Sequence, residues 1–390
     1  MQSERQRSTA FAKIRLSAIA LLFLFSLLIL FPAPTYTLWM LEIVAAEQGH
    51  YAALLALALL PLRRDWVGLS SVVLAVATFV IAVSPLVRAF RVASTLPRRL
   101  DSAFGVPIPP LLASPPALGE PITLRSLLPA PRSTSVIVTP LRYASRPMGP
   151  LDLDLYRNPV SAVPRPVIVV VHGGSWQGGS RSDLAGLNYR LAAEGYAVAS
   201  VSYRFAPEFP NPAATEDLNA ALDYLKSNST RLGLDPSRVV LLGRSSGGHL
   251  ALLSAYTKKD SSLRGVVGLY PPIDQLYGYR NPSRVIPSRR ILEDFLSGTP
   301  TSNPLAYTGT SPIRFVDART VPTLLIHGSK DELVSVKQSR MLDARLDAAG
   351  RPHLLLELPW ATHGCDYFLS GPCGQIASYA IERFVAAVTR

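Results

Sequence analysis

The chain is poor in cysteine and poor in charge. Its 390 residues include two cysteines, Cys365 and Cys373, and only 17% Asp, Glu, Lys and Arg. Two thiols exclude a disulfide framework and a four-cysteine zinc site. Their spacing permits one small bridged loop where the compartment oxidises thiols. The charged fraction lies well under the roughly 25% of soluble domains. Hydrophobic residues make up 48% and mean hydropathy is +0.23, which excludes an intrinsically disordered chain. The net charge of +12 comes without a basic stripe interleaved with stacking aromatics, so nucleic acid is not an expected partner. No internal repeat is evident, and a solenoid is excluded.

The first hundred residues hold ten Lys/Arg against four Asp/Glu, and these cations flank apolar runs as they do beside membrane spans. Residues 16–31 (LSAIALLFLFSLLILF) carry no charge and follow Arg5, Arg7, Lys13 and Arg15. A signal peptide starts the same way, but Pro32-Ala33-Pro34 is not a small-x-small cleavage site and more apolar sequence follows. Residues 67–87 are again uncharged and long enough to span a bilayer. Between them, residues 41–62 are apolar except for Glu42, Glu47, Gln48 and His50, and read as a third, weaker span. Three helices are therefore expected, at about 14–32, 41–62 and 67–88, within a membrane segment 1–92. The basic N-terminus and Arg63-Arg64 then lie inside, and the rest of the chain outside the cytoplasm. Arg88, Arg91, Arg98 and Arg99 oppose that orientation, which large translocated domains tolerate.

Thirteen of the 34 prolines fall in residues 101–165, which predicts a proline-rich linker or docking arm over 93–132. From residue 133 the pattern changes. SVIVTPLRY and LDLDLYR alternate as an edge hairpin does. Six short apolar runs follow (PVIVVVHG, YAVASVSY, RVVLLGRS, GVVGLYP, PTLLIHG and HLLLELP), several separated by amphipathic stretches. This alternation predicts an α/β domain over 133–390 with a mostly parallel sheet covered on both faces. Residues 272–320, with Tyr277, Tyr279, Phe295 and Tyr307, break the rhythm as a cap-like insertion.

Three motifs carry chemistry. Gly243-Arg244-Ser245-Ser246-Gly247 lies between a strand and a helix, where a sharp turn projects Ser245 from the sheet as a nucleophile. His172-Gly173-Gly174-Ser175-Trp176 follows an earlier strand. The N–H groups of Gly173 and Gly174, with that of Ser246, would form an oxyanion hole. Of the six histidines, His363 follows the last strand in a loop that can reach the serine; His327 and His353 sit at strand edges as structural residues. Asp331 follows the preceding strand as the orienting acid, with Glu332 as its competitor.

Together, HGGSW, Tyr203-Arg204 followed by APE, Leu234-Asp235-Pro236-Ser237-Arg238, GRSSGGHLA and PWATHG resemble the α/β-hydrolase superfamily over about residues 135–390. They resemble its esterase branch, the carboxylesterases related to hormone-sensitive lipase and to bacterial feruloyl and acetylxylan esterases. The chain departs in carrying HGGS rather than HGGG, and Gly-Cys after His363. The resemblance implies an α/β-hydrolase fold and a serine hydrolase cleaving small or lipid-like esters; the apolar N-terminal runs, which are not part of the family pattern, add the expectation that the enzyme is membrane-anchored. It implies no metal or organic cofactor. A serine peptidase or amidase of the same fold is the alternative. Trp176, Tyr277 and Tyr279 are candidate substrate contacts, and Cys365 and Cys373 a candidate disulfide.

Overall fold

The computed structural model describes residues 2–60, 66–105, 119–128, 135–147, 149–159 and 163–390. In chain order the elements are α1 (Gln2–Ser26), α2 (Tyr36–Ala58), α3 (Trp66–Phe104), β1 (Ile137–Arg146), β2 (Gly149–Arg157) and β3 (Arg165–Val171). Then come α4 (Gly186–Ala193), β4 (Ala197–Val201), α5 (Ala213–Ser227), α6 (Ser229–Leu232), β5 (Leu234–Arg244) and α7 (Ser246–Thr257). The chain closes with β6 (Leu263–Leu269), α8 (Gln275–Arg280), α9 (Ser288–Leu296), α10 (Pro304–Gly309), β7 (Thr323–Gly328), α11 (Lys337–Ala348), β8 (His353–Leu358) and α12 (Pro372–Val388).

Valine-rich runs form strands because a branched Cβ fits the pleat and fills both faces. All seven residues of β3 are buried. Alternation then divides them between two cores: Val167, Val169 and Val171 enter one, Ile168 and Val170 the other. Eight strands line up in the order β1-β2-β4-β3-β5-β6-β7-β8. The β1–β2 and β2–β4 pairs are antiparallel and the other five parallel. From β3 the chain turns outward to β4, then returns to place β5 on the other side of β3. Ligands bind at such a reversal, beyond the carboxyl ends of the strands. The insertion after β6 holds α8, α9 and α10.

The N-terminal helices depart from their sequence-derived bounds. By length and composition two helices cross-qualify as membrane spans, over Ala10–Ile29 and Val67–Phe104. α2, which covers most of the third span expected at 41–62, is not among them. Its Glu42 and Glu47 are buried among protein groups rather than facing lipid. α3 also runs well past residue 88, so residues 93–104 are helix and not linker. At 1.5 Å per residue its 39 residues reach about 58 Å, nearly twice the thickness of a hydrocarbon core. The surplus packs on the sheet domain: Ala89, Ala93, Leu96 and Leu100 join the same core as Phe384 and Val385 of α12. Arg99 donates to the carbonyl of Leu355 (2.8 Å) on the edge strand β8, and Arg383 pairs with Asp101 (2.5 Å). Of the expected linker, residues 106–118 and 129–132 lie outside the described residues, as do Arg63 and Arg64.

Candidate active site

Every candidate catalytic residue stands at the carboxyl end of a parallel strand. β5 ends at Arg244 and α7 begins at Ser246, leaving Ser245 on the turn at φ 53°, ψ −122°. A non-glycine residue at positive φ is held there by its surroundings at a cost of order 1–3 kcal/mol. Ser245 N–H donates to the Leu269 carbonyl (2.9 Å), which ties the turn to β6. The first turn of α7 presses on the end of β3 so closely that a Cβ at Gly247 would stand 2.2 Å from the His172 oxygen and 2.3 Å from that of Val171. Only glycine fits.

His363, in the loop after β8, lies with Nε2 2.9 Å from Ser245 Oγ and Nδ1 2.7 Å from Asp331 Oδ2. Asp331 follows β7. Its Oδ1 accepts the N–H groups of Leu333 (2.9 Å) and Val334 (2.8 Å). Glu332 is half-buried, and its backbone oxygen accepts from the Ser283 hydroxyl (2.8 Å); the structure brings Asp331, not Glu332, to the imidazole. Burial alone would raise the Asp331 carboxyl. The opposing charge of His363, with hydrogen bonds from His327 and His363, holds it below the usual carboxylate range.

Four residues to which the sequence reading gave no part in the chemistry surround this chain. His327, expected to be structural, places Nε2 3.1 Å from Asp331 Oδ2 while also donating to Val334 O (2.9 Å). Arg244, the variable residue of the serine turn, is buried and donates to Asp366 Oδ2 (2.5 Å). Asp366 also accepts the Tyr270 hydroxyl, and the Tyr270 ring lies 4.4 Å from the imidazole of His363. A buried arginine in the turn demands a buried acid. The sequence offered many acids, and only folding showed that the partner stands three residues after the histidine.

The HGG loop follows β3, the neighbour of β5, so the two turns meet. A Cβ on Gly173 would lie 3.3 Å from Ser245 Cβ, with Gly174 next along the loop. His172 Nδ1 faces the Gly173 carbonyl (2.7 Å) and therefore carries the proton. Its ring stacks on Tyr203 at 4.4 Å, and the Tyr203 hydroxyl donates to His172 O (3.0 Å). Burial pushes the His172 imidazole below its ordinary value, so it is neutral near pH 7.

The candidate substrate contacts divide. Trp176 is buried, stacks on Phe295 at 4.4 Å and donates from Nε1 to His249 Nδ1 (3.1 Å). It fixes the insertion to the sheet domain. Tyr279 is engaged within the insertion, donating to Glu293 (2.7 Å) with its ring edge-on to Tyr307. Tyr277 is half-buried on α8. The Cys365 and Cys373 sulfurs stand at bonding distance, with Cα atoms 5.7 Å apart. Among the described residues no group of His, Cys, Asp or Glu is arranged to hold a metal ion.

The family BD-FAE matches residues 153–346. Esterase LipC of Mycobacterium tuberculosis (strain ATCC 25618 / H37Rv) is 32% identical over 293 residues, covering 67% of this chain and 70% of LipC. The probable carboxylic ester hydrolase LipM of the same strain is 29% identical, over 60% of this chain and 58% of LipM. Among solved structures, the hyperthermophilic esterase from the archaeon Pyrobaculum calidifontis superposes with a TM-score of 0.55 at 27% identity, covering 65% of this chain and 84% of that one. These likenesses extend the geometry to a lineage: the chain belongs to the α/β-hydrolase esterases and is a carboxylic ester hydrolase.

Proposed function

We propose that this is a membrane-anchored serine esterase in which Ser245, His363 and Asp331 form the catalytic triad. The observation that carries the reading is the continuous hydrogen-bonded chain from Asp331 Oδ2 through His363 to Ser245 Oγ, at 2.7 and 2.9 Å. Asp331 holds His363 as the Nδ1–H tautomer, leaving Nε2 free to take the serine proton as Oγ attacks the ester carbonyl. The N–H groups of Gly173, Gly174 and Ser246 receive the oxyanion, each worth about 3 kcal/mol of barrier when well aimed. His363 then protonates the departing alcohol, and water attacks the acyl-enzyme with the same base. The alcohol and acid leave in separate steps, and Ser245 is restored.

The anchor reading is supported by exposure. The two apolar helix windows are only 22% and 28% buried, unlike the core helices of a soluble domain. Phe11, Leu21 and Leu24 of α1, and Leu69, Val73, Val76 and Val80 of α3, face outward. An apolar surface of that extent requires lipid or a partner. Ile19 packs with Ala56 and Ala75, while Ile29 packs with Ala45 and Ala82 nearer the hydrolase. The basic N-terminus therefore points away from the catalytic domain, consistent with an extracytoplasmic enzyme. Ser245→Ala tests the chemistry. It should abolish hydrolysis of p-nitrophenyl esters and labelling by a fluorophosphonate, with the fold intact. Loss through Ser246→Ala instead would move the nucleophile. Faster cleavage of matched anilides than of esters would replace the esterase by an amidase.

A further inference from the structure

The first half of α2 lies not in a lipid face but against the loop that carries His363. Glu47 is wholly buried, and a carboxyl group in such a place is costly unless its oxygens are partnered. Both are. Oε1 accepts the indole N–H of Trp360 (3.3 Å), and Oε2 accepts the backbone N–H of Cys373 (2.8 Å). These donors stand at the two ends of the 360–373 segment, with His363 between them. The fit is close: a Cβ at Gly371 would stand 2.4 Å from Glu47 Oε2 and 2.9 Å from its Cβ.

Two further contacts point the same way. One turn or two earlier on α2, the Trp39 ring lies 6.3 Å from the imidazole of His363, and Trp39 and Ile43 flank Gly364. They share an apolar cluster with Leu333 of the acid loop and Phe368 of the histidine loop. Lys330, beside Asp331, donates to the carbonyl of Ile29 just before α2. A helix serving only as a tether has no reason to spend its buried acid on both ends of the base loop.

We propose that Glu47 is a positioning residue for His363, and that α2 is part of the active-site scaffold rather than of the anchor alone. The proposal rests on His363 being the base. Glu47 acts by fixing the segment on which His363 hangs, so its loss loosens the Nε2 to Oγ alignment without touching substrate. A displacement near 1 Å in such an alignment costs as much as about 10²-fold in rate.

The test uses the full chain in detergent or nanodiscs, with p-nitrophenyl acetate as substrate and active sites titrated to completion with a fluorophosphonate. Glu47→Ala is expected to lower kcat per titrated site about tenfold, leaving KM within about twofold. Glu47→Gln, which keeps one acceptor oxygen, should recover part of the loss. Trp360→Phe, which removes one donor and keeps the ring, should lower kcat a few-fold. If Glu47→Ala does not accumulate as folded protein, Glu47→Gln and Trp360→Phe decide the matter. Wild-type kcat per titrated site in both overturns the proposal, as does a fall in titratable sites with kcat per site unchanged. His363→Ala keeps the two readings distinct. Activity in that variant removes the base assignment itself, whereas an inactive His363→Ala beside fully active Glu47 variants removes only the positioning role.

Discussion

Replacing Asp331 by asparagine isolates what the acid does, because the structure dictates how the amide must sit. Oδ1 accepts two backbone N–H groups, from Leu333 and Val334. Those donors fix the amide oxygen at that position and turn the amide nitrogen toward His363 Nδ1. There it is a donor facing what was a donor. The imidazole must then hold its proton on Nε2, the atom that has to accept from Ser245. His327 aggravates the mismatch. Its Nε2 carries a proton, donated to Val334 O, and lies 3.1 Å from the same Asp331 oxygen. The His327 N–H would therefore confront the amide nitrogen even after His363 changes tautomer. In other triads the wrong tautomer costs about 10⁴ in turnover, which is about 5.4 kcal/mol of barrier. The assay is kcat against a p-nitrophenyl ester, read beside the rate of fluorophosphonate labelling. Glu332→Gln should fall less than threefold, since Glu332 has no contact with the imidazole. An Asp331→Asn enzyme within tenfold of wild type, or an equal loss in Glu332→Gln, would refute the reasoning.

Three other outcomes follow from the same geometry. Arg244→Met leaves Asp366 buried without its cation, a change that costs about 3–5 kcal/mol; thermal unfolding should shift down by about 10 °C, and Arg244→Met combined with Asp366→Leu should recover part of it. His249 is pushed down to about 4 by burial, against a hydrogen bond to the Thr310 carbonyl that favours its charged form. Below the ordinary value of about 6.5 the unfolded chain binds a proton that the folded protein refuses, so stability falls as pH drops from about 6.5 to 4; urea midpoints should show this slope, and His249→Gln should flatten it. Maleimide applied to intact cells should leave Cys365 and Cys373 unlabelled until a reductant is added, whereas free labelling with a cytoplasmic C-terminal reporter would overturn both the bridge and the orientation.

Much of the enzyme could be read along the chain because its chemistry is local. Strands declare themselves through continuous branched apolar runs, and β3 to β8 lie where those runs are. The serine turn needs glycine within two residues on either side, so Gly243 and Gly247 mark Ser245 unaided. The order of Ser245, Asp331 and His363 along the chain follows from strands that end in sequence along one edge of a parallel sheet. Glu332 could be set aside only in three dimensions, where the turn after β7 aims one carboxyl and not its neighbour at the imidazole.

The N-terminal segment shows the other side of the division. Composition determined that residues 16–31 and 67–87 are apolar runs fit for helices, since a run of uncharged residues carries that information within itself. It could not determine where α3 stops belonging to a membrane and starts belonging to the hydrolase, because Ala89, Ala93, Leu96 and Leu100 are as apolar as the residues before them. Nor could it say why α2 carries Glu47, read from sequence as a defect in a span. The partners of that carboxyl, Trp360 and Cys373, lie more than three hundred residues away. Arg244 and Asp366 are likewise separated by 122 residues. A buried polar group is stabilised by whichever donors and acceptors the fold brings to it, and chain spacing does not encode that meeting. The sequence by itself thus determined the serine turn, the sheet and the apolar helices. The tertiary structure decided which carboxyl stands beside His363 and which groups bury Glu47 against the loop that carries it.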